Sequence, residues 1–383
     1  MLGWVSFFTD LASAMIKPMI PIYVVVVLNQ GVDKLGIVVA VTTFVSFFLR
    51  WLGGWLSDHY GRSKPFLILG YGLSGLVKPL FGFAASWQMV AVFSASERLG
   101  KALRAAPKDK LISASGAKNK QGRAFGIHKT LDISGEALGA LVAFLMLYLL
   151  GQDEYWIRQV FFWTIIPTLL GMLVLIFLVQ EKADQSTPSS AQQQSDAAPE
   201  ALSPLLKLKL FLFFCASFLM VSESFMLIRA HEAHITLAFL PLLAMAGSLT
   251  QALLSYYFGK SADDLGDETV LIWGVSAGFI SLVFLALGQD LMVAIGFVFQ
   301  GIFMVATLNA LRMRLGKFKQ SKGSKYGWFY AINAIVTAIG ALLIGWLWEH
   351  IGGTQTLTLL ALGYLLLLIV YALLRKRYSE ARL

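Results

Sequence analysis

The stretch Gly54-Trp55-Leu56-Ser57-Asp58-His59-Tyr60-Gly61-Arg62 recurs in outline as Gly259-Lys260-Ser261-Ala262-Asp263-Asp264-Leu265-Gly266-Asp267. Both copies follow the pattern G-x-x-x-D-x-x-G, and each comes directly after an apolar segment long enough to cross a bilayer. The copies lie 205 residues apart in a chain of 383 residues. A repeat at this interval indicates that the chain consists of two related halves.

The segments around these turns have the composition of a membrane protein with many spans. Apolar residues make up 57% of the chain and charged residues only 14%, whereas soluble domains carry about 25% charged residues. Each apolar block approaches the ~20 residues that a helix needs to cross ~30 Å of hydrocarbon. We predict an all-α membrane protein with twelve transmembrane helices, spans 1 to 12, at about 4–28, 35–56, 65–85, 88–110, 124–150, 158–180, 206–229, 235–258, 269–288, 291–313, 327–348 and 354–375. Span 1 has no basic region before it and no cleavage site, so we expect it to be retained.

The segment 181–204 divides the spans six and six. It is rich in Ser, Gln, Ala and Pro and has no apolar face, so we expect a flexible cytoplasmic linker. The predicted domains are therefore an N-terminal bundle, 1–180, and a C-terminal bundle, 205–383. Basic residues are concentrated in the connections after spans 2, 4, 8 and 10 and in the C-terminal tail. By the positive-inside rule, both termini are cytoplasmic, and the net charge of +9 needs no nucleic-acid partner to explain it.

The sequence offers no chemistry for catalysis. It contains no phosphate-binding loop, no nucleophile triad and no metal-ligand cluster. We therefore predict a protein that is not an enzyme and uses no cofactor or metal. Duplicated membrane proteins with polar turns at matching positions are instead typical of secondary transporters, which hold their substrate between the two halves.

Twelve spans, a central linker and the repeated turn together resemble the major facilitator superfamily. The connection between spans 2 and 3 matches the signature loop of that family at Gly54, Asp58, Gly61, Arg62 and Lys64. The second copy keeps Gly259, Asp263 and Gly266, but Asp267 stands where the first copy has Arg62. The resemblance implies two six-helix bundles related by a pseudo-two-fold axis, with these residues gating the cytoplasmic side.

Two further elements of the family can be compared with this chain. Arg98 of span 4 is in register with an arginine that the family associates with proton coupling, although Lys101 replaces the usual amide. Span 5 contains Gly135-Glu136-Ala137-Leu138-Gly139-Ala140, which keeps G-x-x-x-G but lacks the proline of the antiporter signature. This departure argues against an ordinary drug/proton exporter.

Charged residues are crowded into the spans of the first half. An ionisable side chain inside the membrane costs on the order of several kcal/mol unless it faces the bundle interior, water or a partner. Each charged residue in a span is therefore a functional candidate. The first-half spans contain seven bases against four acids: Lys17, Arg50, Lys78, Arg98, Lys101, Arg104 and Lys129 against Asp10, Glu97, Asp132 and Glu136. The excess of base predicts an anionic solute of carboxylate type. The alternative is a purely structural network of charges.

Specific roles follow from these positions. Proton coupling requires a buried carboxyl that can change its protonation near neutral pH, and we assign it first to Asp10 and Glu136, then to Asp132 and Glu97, with Arg98 as the cationic partner. The predicted substrate contacts are Lys17, Arg98, Lys101, Lys129, Glu223 and Asn333. Glu223 is either a substrate contact or a silent protonated residue, and Asn333 either binds substrate or packs.

The sequence thus predicts a proton-coupled secondary transporter that moves a small anionic organic solute by alternating access. We expect a monomer in the lipid bilayer of a bacterial inner membrane, with the solute and protons as its partners. The alternative is a proton-antiport exporter of amphipathic or cationic drugs. A membrane receptor that kept a carrier fold is a third possibility from another class.

Overall fold

The computed structural model describes residues 1–49, 63–115, 121–179, 204–316 and 322–380. This part of the chain contains no strand. Each predicted span coincides with one helix or with several consecutive helical segments. Spans 1 to 6 comprise Leu2–Ile16 with Met19–Ile22 and the π-helical turn Tyr23–Val27, Val32–Phe48, Lys64–Leu80, Trp87–Ser115, Gln121–Leu149, and Glu154–Trp163 with Ile165–Leu173. Spans 7 to 12 comprise Pro204–Phe218 with Glu223–Glu232, Leu240–Leu265, Asp267–Leu287, Asp290–Gly316, Lys322–Ile351 and Gly353–Glu380.

Most of these helices can cross a membrane by length and composition. Among the described residues nine qualify singly, and the bent pair of span 7, with an angle of 42° between its two helices, makes a tenth. Span 2 is described over only 17 residues, and span 4 carries several of the charged residues that the sequence analysis named. The predicted all-α membrane architecture is confirmed.

The helices group into two compact units. The first contains the described residues of 1–179 together with 223–245, and the second contains those of 204–222 and 246–380. The boundary at Glu223 coincides with the break in span 7, so the second helix of that span packs within the first unit. The division into bundles 1–180 and 205–383 stays a prediction, and residues 181–203 of the expected linker lie outside the described residues.

Span 1 lies against span 5 in the first unit because two glycines leave room for its backbone. A Cβ added at Gly135 would meet the carbonyl oxygen of Phe7, and one at Gly139 would meet that of Leu11, both closer than 3.0 Å. Spans 3 and 4 approach in the same way, since a Cβ at Gly100 would lie 2.6 Å from the carbonyl oxygen of Gly70. Small residues commonly bring transmembrane helices this close. These close approaches set the positions of the charged faces of spans 1, 4 and 5.

A glycine also allows two helices of the second unit to approach closely. A Cβ added at Gly340 of span 11 would collide with the carbonyl oxygen of Phe218 in span 7. Gly340 follows Gly135 by 205 residues, which is the interval between the two copies of the G-x-x-x-D-x-x-G turn. The internal repeat is therefore visible in helix packing as well as in the turns.

Candidate functional site

A charged cavity of about 200 Å³ lies between spans 1, 4 and 5 in the first unit. Its remaining lining is short or aliphatic, with Ser13, Ala14, Ile16 and Ile20 of span 1. Eight charged side chains line it, four of each sign: Asp10, Glu97, Asp132 and Glu136 with Lys17, Arg98, Lys101 and Lys129. The cavity thus gathers every predicted coupling residue and four of the six predicted substrate contacts.

Helical spacing explains why each span offers several charges to one space. Asp10, Ala14 and Lys17 follow one face of span 1, and Lys129, Asp132 and Glu136 follow one face of span 5, because residues three and four apart lie above one another on a helix. Glu97 and Lys101 are related in the same way on span 4. This part of the site was predictable from sequence.

Glu97 is the centre of the ion pairs on span 4. Its Oε1 lies 2.7 Å from Lys101 Nζ and its Oε2 lies 3.5 Å from Arg98 Nε, and the residue is only 5% exposed. One carboxylate therefore serves two bases, so this cluster carries an excess of one positive charge when all three groups are ionised. The Nη groups of Arg98 have no hydrogen-bond acceptor among the described residues. They are available as donors toward the cavity.

Lys17 is paired with an acid that comes from far along the chain. Its Nζ lies 2.8 Å from Glu223 Oε2, and the side chains are 44% and 27% exposed. Glu223 begins the second helix of span 7, which belongs to the first unit. Lys17, Glu136 and Glu223 also line a second, smaller cavity together with Pro241 and Met245. Sequence reasoning proposed Glu223 but missed its partner, because no spacing rule connects residues 206 positions apart.

The bases that made the first half appear strongly positive do not all reach the cavity. Lys78 is fully buried, and its Nζ donates to the carbonyl oxygen of Thr9 at 3.0 Å. The Arg104 guanidinium lies 4.0 Å above the Tyr71 ring, and its Nη1 donates to Ser74 Oγ at 3.0 Å. Arg50 lies outside the described residues. The cavity lining is consequently balanced in charge rather than basic.

Lys129 and Asp10 differ from their neighbours in lacking an ion pair. Within the described ranges, no carboxylate oxygen lies within 4.0 Å of Lys129 Nζ, and no basic nitrogen lies within 4.0 Å of the Asp10 carboxylate. Asp10 is nevertheless within electrostatic range of Lys101, Arg104 and Lys108. Both side chains can therefore change partners without first breaking a salt bridge.

Asp132 lies beside a buried chain of hydrogen-bonding groups behind the cavity. Its Oδ1 lies at an ion-pair distance of 3.2 Å from His128 Nδ1, but it accepts no hydrogen bond from the described residues. The other ring nitrogen, Nε2, lies 3.0 Å from Ser6 Oγ, which in turn lies 3.1 Å from Tyr71 Oη. The chain links span 5 through span 1 to span 3. The sequence analysis gave no role to His128.

The predicted gating residues are only partly described. Gly54, Asp58, Gly61 and Arg62 lie outside the described residues. Lys64 begins span 3, and its Nζ donates to the carbonyl oxygen of Ile176 at 3.0 Å.

In the second copy, Asp263 is exposed and Gly259 has open space around it. Gly266 has φ +89° between spans 8 and 9, a conformation that side chains with a Cβ rarely adopt. Lys209 Nζ of span 7 lies 3.1 Å from both Asp267 Oδ2 and Glu268 Oε2. The acid that replaces the expected arginine is therefore held by a base within the second unit.

Asn333 lies on span 11 in the second unit, with 9% of its surface exposed. Its backbone carbonyl accepts a hydrogen bond from Thr337 Oγ1 at 2.6 Å. It is not part of the lining of the charged cavity, so its predicted contact with substrate stays a prediction.

The sequence pattern that defines the Major Facilitator Superfamily matches residues 2–229 and 224–382. The chain belongs to the Major Facilitator Superfamily. Proteins of this superfamily are transporters rather than enzymes, so the chain is a membrane transporter, as its sequence predicted.

Relatives of known sequence extend over most of this transporter. It is 29% identical over 362 residues to an MFS-type transporter of Methanocaldococcus jannaschii, covering 91% of this chain and 88% of that one. It is 26% identical over 301 residues to the multidrug resistance protein MdtG of a Rahnella strain, covering 75% and 71% of the two chains.

Solved structures confirm the fold. The nucleoside transporter NupG superposes with a TM-score of 0.75 at 13% identity, covering 97% of this chain and 98% of that one. The xylose transporter XylE of E. coli superposes with a TM-score of 0.68 at 14% identity, covering 96% and 94%. At these identities the likeness establishes the superfamily fold and carries no information about the solute.

Proposed function

We propose that this transporter couples the movement of protons to that of a small anionic organic solute of carboxylate type, by alternating access. The observation that carries the proposal is the charged cavity between spans 1, 4 and 5, with four carboxylates and four bases in its wall. Two bases share Glu97, and Lys129 has no carboxylate within 4.0 Å among the described residues. Positive groups are therefore available to an incoming anion.

Proton binding and anion binding support each other in such a cavity. When all eight lining groups are ionised their charges sum to zero. Each proton taken up by Asp10 or Glu136 leaves one positive charge without a counter-charge, and burial makes an uncompensated charge costly. A carboxylate that enters the cavity restores the balance. Proton and anion are therefore expected to bind to the same state of the protein.

The bases would hold the solute in different ways. Arg98 presents a planar pair of Nη donors, which suits the two oxygens of a carboxylate, whereas Lys101 and Lys129 act as point charges. Lys17 would become available only after leaving Glu223, so this pair would respond to the solute. Asn333 would add neutral hydrogen bonds from the second half.

Movement would follow the plan that the superfamily resemblance implies. The halves 1–180 and 205–383, joined by the linker 181–204, would rock around the solute within a bacterial inner membrane, as a monomer with both termini in the cytoplasm. The residues around Asp58 and Arg62, and their second copy at Asp263, would control cytoplasmic closure. The pairing of Lys209 with Asp267 indicates that the second copy anchors span 9 to span 7 in its own unit.

A second candidate is a proton-antiport exporter of amphipathic cations. The observation that favours it is the 26% identity to the multidrug resistance protein MdtG of Rahnella. When Glu223 is included, five carboxylates face four bases around the two cavities. A fully deprotonated site would then attract a cation, and a proton would displace it. The two candidates thus predict proton exchange of opposite sign.

The test is to measure proton exchange when ligands bind to the purified full-length protein in weakly buffered detergent solution. We expect succinate or citrate to cause proton uptake and to raise the melting temperature. At a ligand concentration of 100 times the Kd, the folded state should be stabilised by about 2.7 kcal/mol. Both effects should be lost in Arg98→Gln and Lys101→Gln. They should persist in Lys34→Gln, since among the described residues the Lys34 ammonium pairs with its neighbour Asp33, outside the cavity.

Other outcomes would overturn specific parts of the proposal. Proton release on addition of tetraphenylphosphonium, with no response to carboxylates, would establish the exporter instead. Binding of carboxylates without proton uptake would refute the coupling while leaving the anion site in place.

A further inference from the structure

The buried chain behind the cavity contains a histidine that neither the family resemblance nor the charged stripes explained. Among the described residues, His128 is the one histidine inside a charged cluster, and its side chain is only 7% exposed. The two ring nitrogens have different neighbours. Nδ1 lies near Asp132, one turn along span 5, and Nε2 lies near Ser6 of span 1. Tyr71 of span 3 extends the chain through Ser6.

The hydrogens of this chain can be assigned from what each group is able to donate. Asp132 is negatively charged, so its Oδ1 at 3.2 Å favours the tautomer with the hydrogen on His128 Nδ1, although no hydrogen bond joins these two atoms. In the neutral ring Nε2 is then an acceptor, and it accepts from the Ser6 hydroxyl. Ser6 Oγ in turn accepts from the Tyr71 hydroxyl. The two hydroxyl donors between Tyr71 and the ring therefore point in one direction.

Protonation would reverse part of this order. A proton that binds at Nε2 turns this nitrogen into a donor toward Ser6 Oγ, and the Ser6 hydroxyl hydrogen must rotate away. The imidazolium then donates to Ser6 from Nε2, and Asp132 is its counter-ion at 3.2 Å. Asp132 is itself a lining residue of the charged cavity, with 16% of its side chain exposed. The charge state of the histidine is thereby communicated to the cavity wall.

We propose that His128 is a further proton-binding residue of the coupling machinery, with Asp132 linking it to the cavity and with Ser6 and Tyr71 positioning its ring. This inference rests on the proposed function and adds a histidine to the carboxylates that exchange protons. Histidine is suited to the task because it changes charge between about pH 5 and 8, where carboxyl groups in water stay ionised. The neutral and the protonated His128 ring would therefore give the cavity and the groups behind it two different net charges.

Charges on the neighbouring helices bear on this assignment. Span 1 contributes Asp10, which is within electrostatic range of Asp132. Span 4 contributes Arg104, whose guanidinium lies over the Tyr71 ring, and Lys108, which acts on Asp10. Lys129 adjoins His128 on span 5. The two carboxylates favour the imidazolium and the three bases oppose it, so the ring lies in a mixed field rather than beside a single fixed counter-charge.

The experiment is a pH titration of the ligand-free, full-length protein labelled with ¹⁵N-histidine, followed by NMR in detergent. One signal pair should change from the neutral Nδ1–H tautomer to the imidazolium between about pH 8 and 5. It should be absent in His128→Gln and present in His350→Gln, because His350 Nδ1 bonds to the carbonyl of Trp346 on the exposed face of span 11. Asp132→Asn should move the midpoint to lower pH by removing the counter-ion.

Ser6→Ala gives a second test that keeps the imidazole in place. It removes the partner of Nε2, so the ring ¹⁵N shifts of the neutral form should change while the signal still titrates. If the His128 signal keeps one state from pH 5 to 8, the proposal is overturned.

The failure of this inference and that of the proposed function are distinguishable. If succinate drives proton uptake equally in the wild-type protein and in His128→Gln, the coupling stands and His128 is not its proton-binding residue. If no carboxylate drives proton uptake in the wild-type protein, coupling is refuted whatever the histidine titration shows.

Discussion

Gly139→Ala is expected to push span 1 away from span 5 and to disturb the charged cavity. A methyl group at this position would meet the carbonyl oxygen of Leu11 closer than 3.0 Å, whereas non-bonded carbon contacts are optimal at about 3.5–4.0 Å. The helices would therefore have to separate locally by roughly 1 Å. Overpacking of this kind costs about 1–3 kcal/mol, partly offset by the higher helix propensity of alanine, about 1 kcal/mol.

The assay is thermal unfolding of the purified protein, with the proton exchange induced by succinate as a second readout. A net loss of up to about 2 kcal/mol corresponds to a melting temperature lower by several degrees, on the order of 2–4 °C per kcal/mol. Proton uptake should weaken as well, because Asp132 and Glu136 on span 5 would shift relative to Asp10 on span 1.

Gly126→Ala is the matched control on the same helix. A Cβ at Gly126 meets nothing within 4 Å, so this variant should melt at or slightly above the wild-type temperature, by up to about 1 kcal/mol of stabilisation. If Gly139→Ala melts with Gly126→Ala, the close approach of spans 1 and 5 does not determine stability and the reasoning is refuted.

Three further predictions concern basic side chains whose partners the structure identifies. Lys78→Met should raise the melting temperature, with a gain in the free energy of unfolding on the order of 1 kcal/mol, because a fully buried ammonium with one carbonyl acceptor is replaced by an apolar chain of similar shape. A lower melting temperature would show that this charge is needed. Lys209→Met should destabilise the protein by about 3–5 kcal/mol, since two carboxylates lose their shared base, and adding Asp267→Asn should recover much of the loss in the same melting assay. A double-mutant cycle of Lys17→Gln and Glu223→Gln should give a coupling energy below about 1 kcal/mol, because the Lys17 side chain is 44% exposed; a larger value would mean that the pair is a fixed structural contact.

Sequence alone predicted the features of this transporter that depend on helical period and hydrophobicity. The twelve spans followed from apolar length, and the shared face of Lys129, Asp132 and Glu136 followed from steps of three and four. Neither rule states which helices become neighbours. Glu223 therefore could not be matched to Lys17, although the sequence analysis had named both residues.

The anion prediction shows the same limit in another form. Counting bases along the spans gave an excess, but a count carries no direction for the side chains. Lys78 and Arg104 face Thr9, Ser74 and Tyr71 behind the cavity, and they contribute charge without touching its interior. Only orientation around each helix axis, which tertiary packing decides, separates the bases that can touch a solute from those that cannot.

Span 5 shows how packing and charge are joined in one short segment. Gly135 and Gly139 form the face that receives the span 1 backbone, while Glu136 is adjacent to Gly135 and faces the cavity. The distance between Glu136 and the charges of span 1 is therefore fixed by how closely two backbones approach, and only glycine permits that approach. In Gly135-Glu136-Ala137-Leu138-Gly139-Ala140 the retained glycines thus have a packing reason that is independent of the missing proline. Any movement of span 1 against span 5 during transport would change this distance first, and with it the cost of leaving Glu136 or Asp132 ionised.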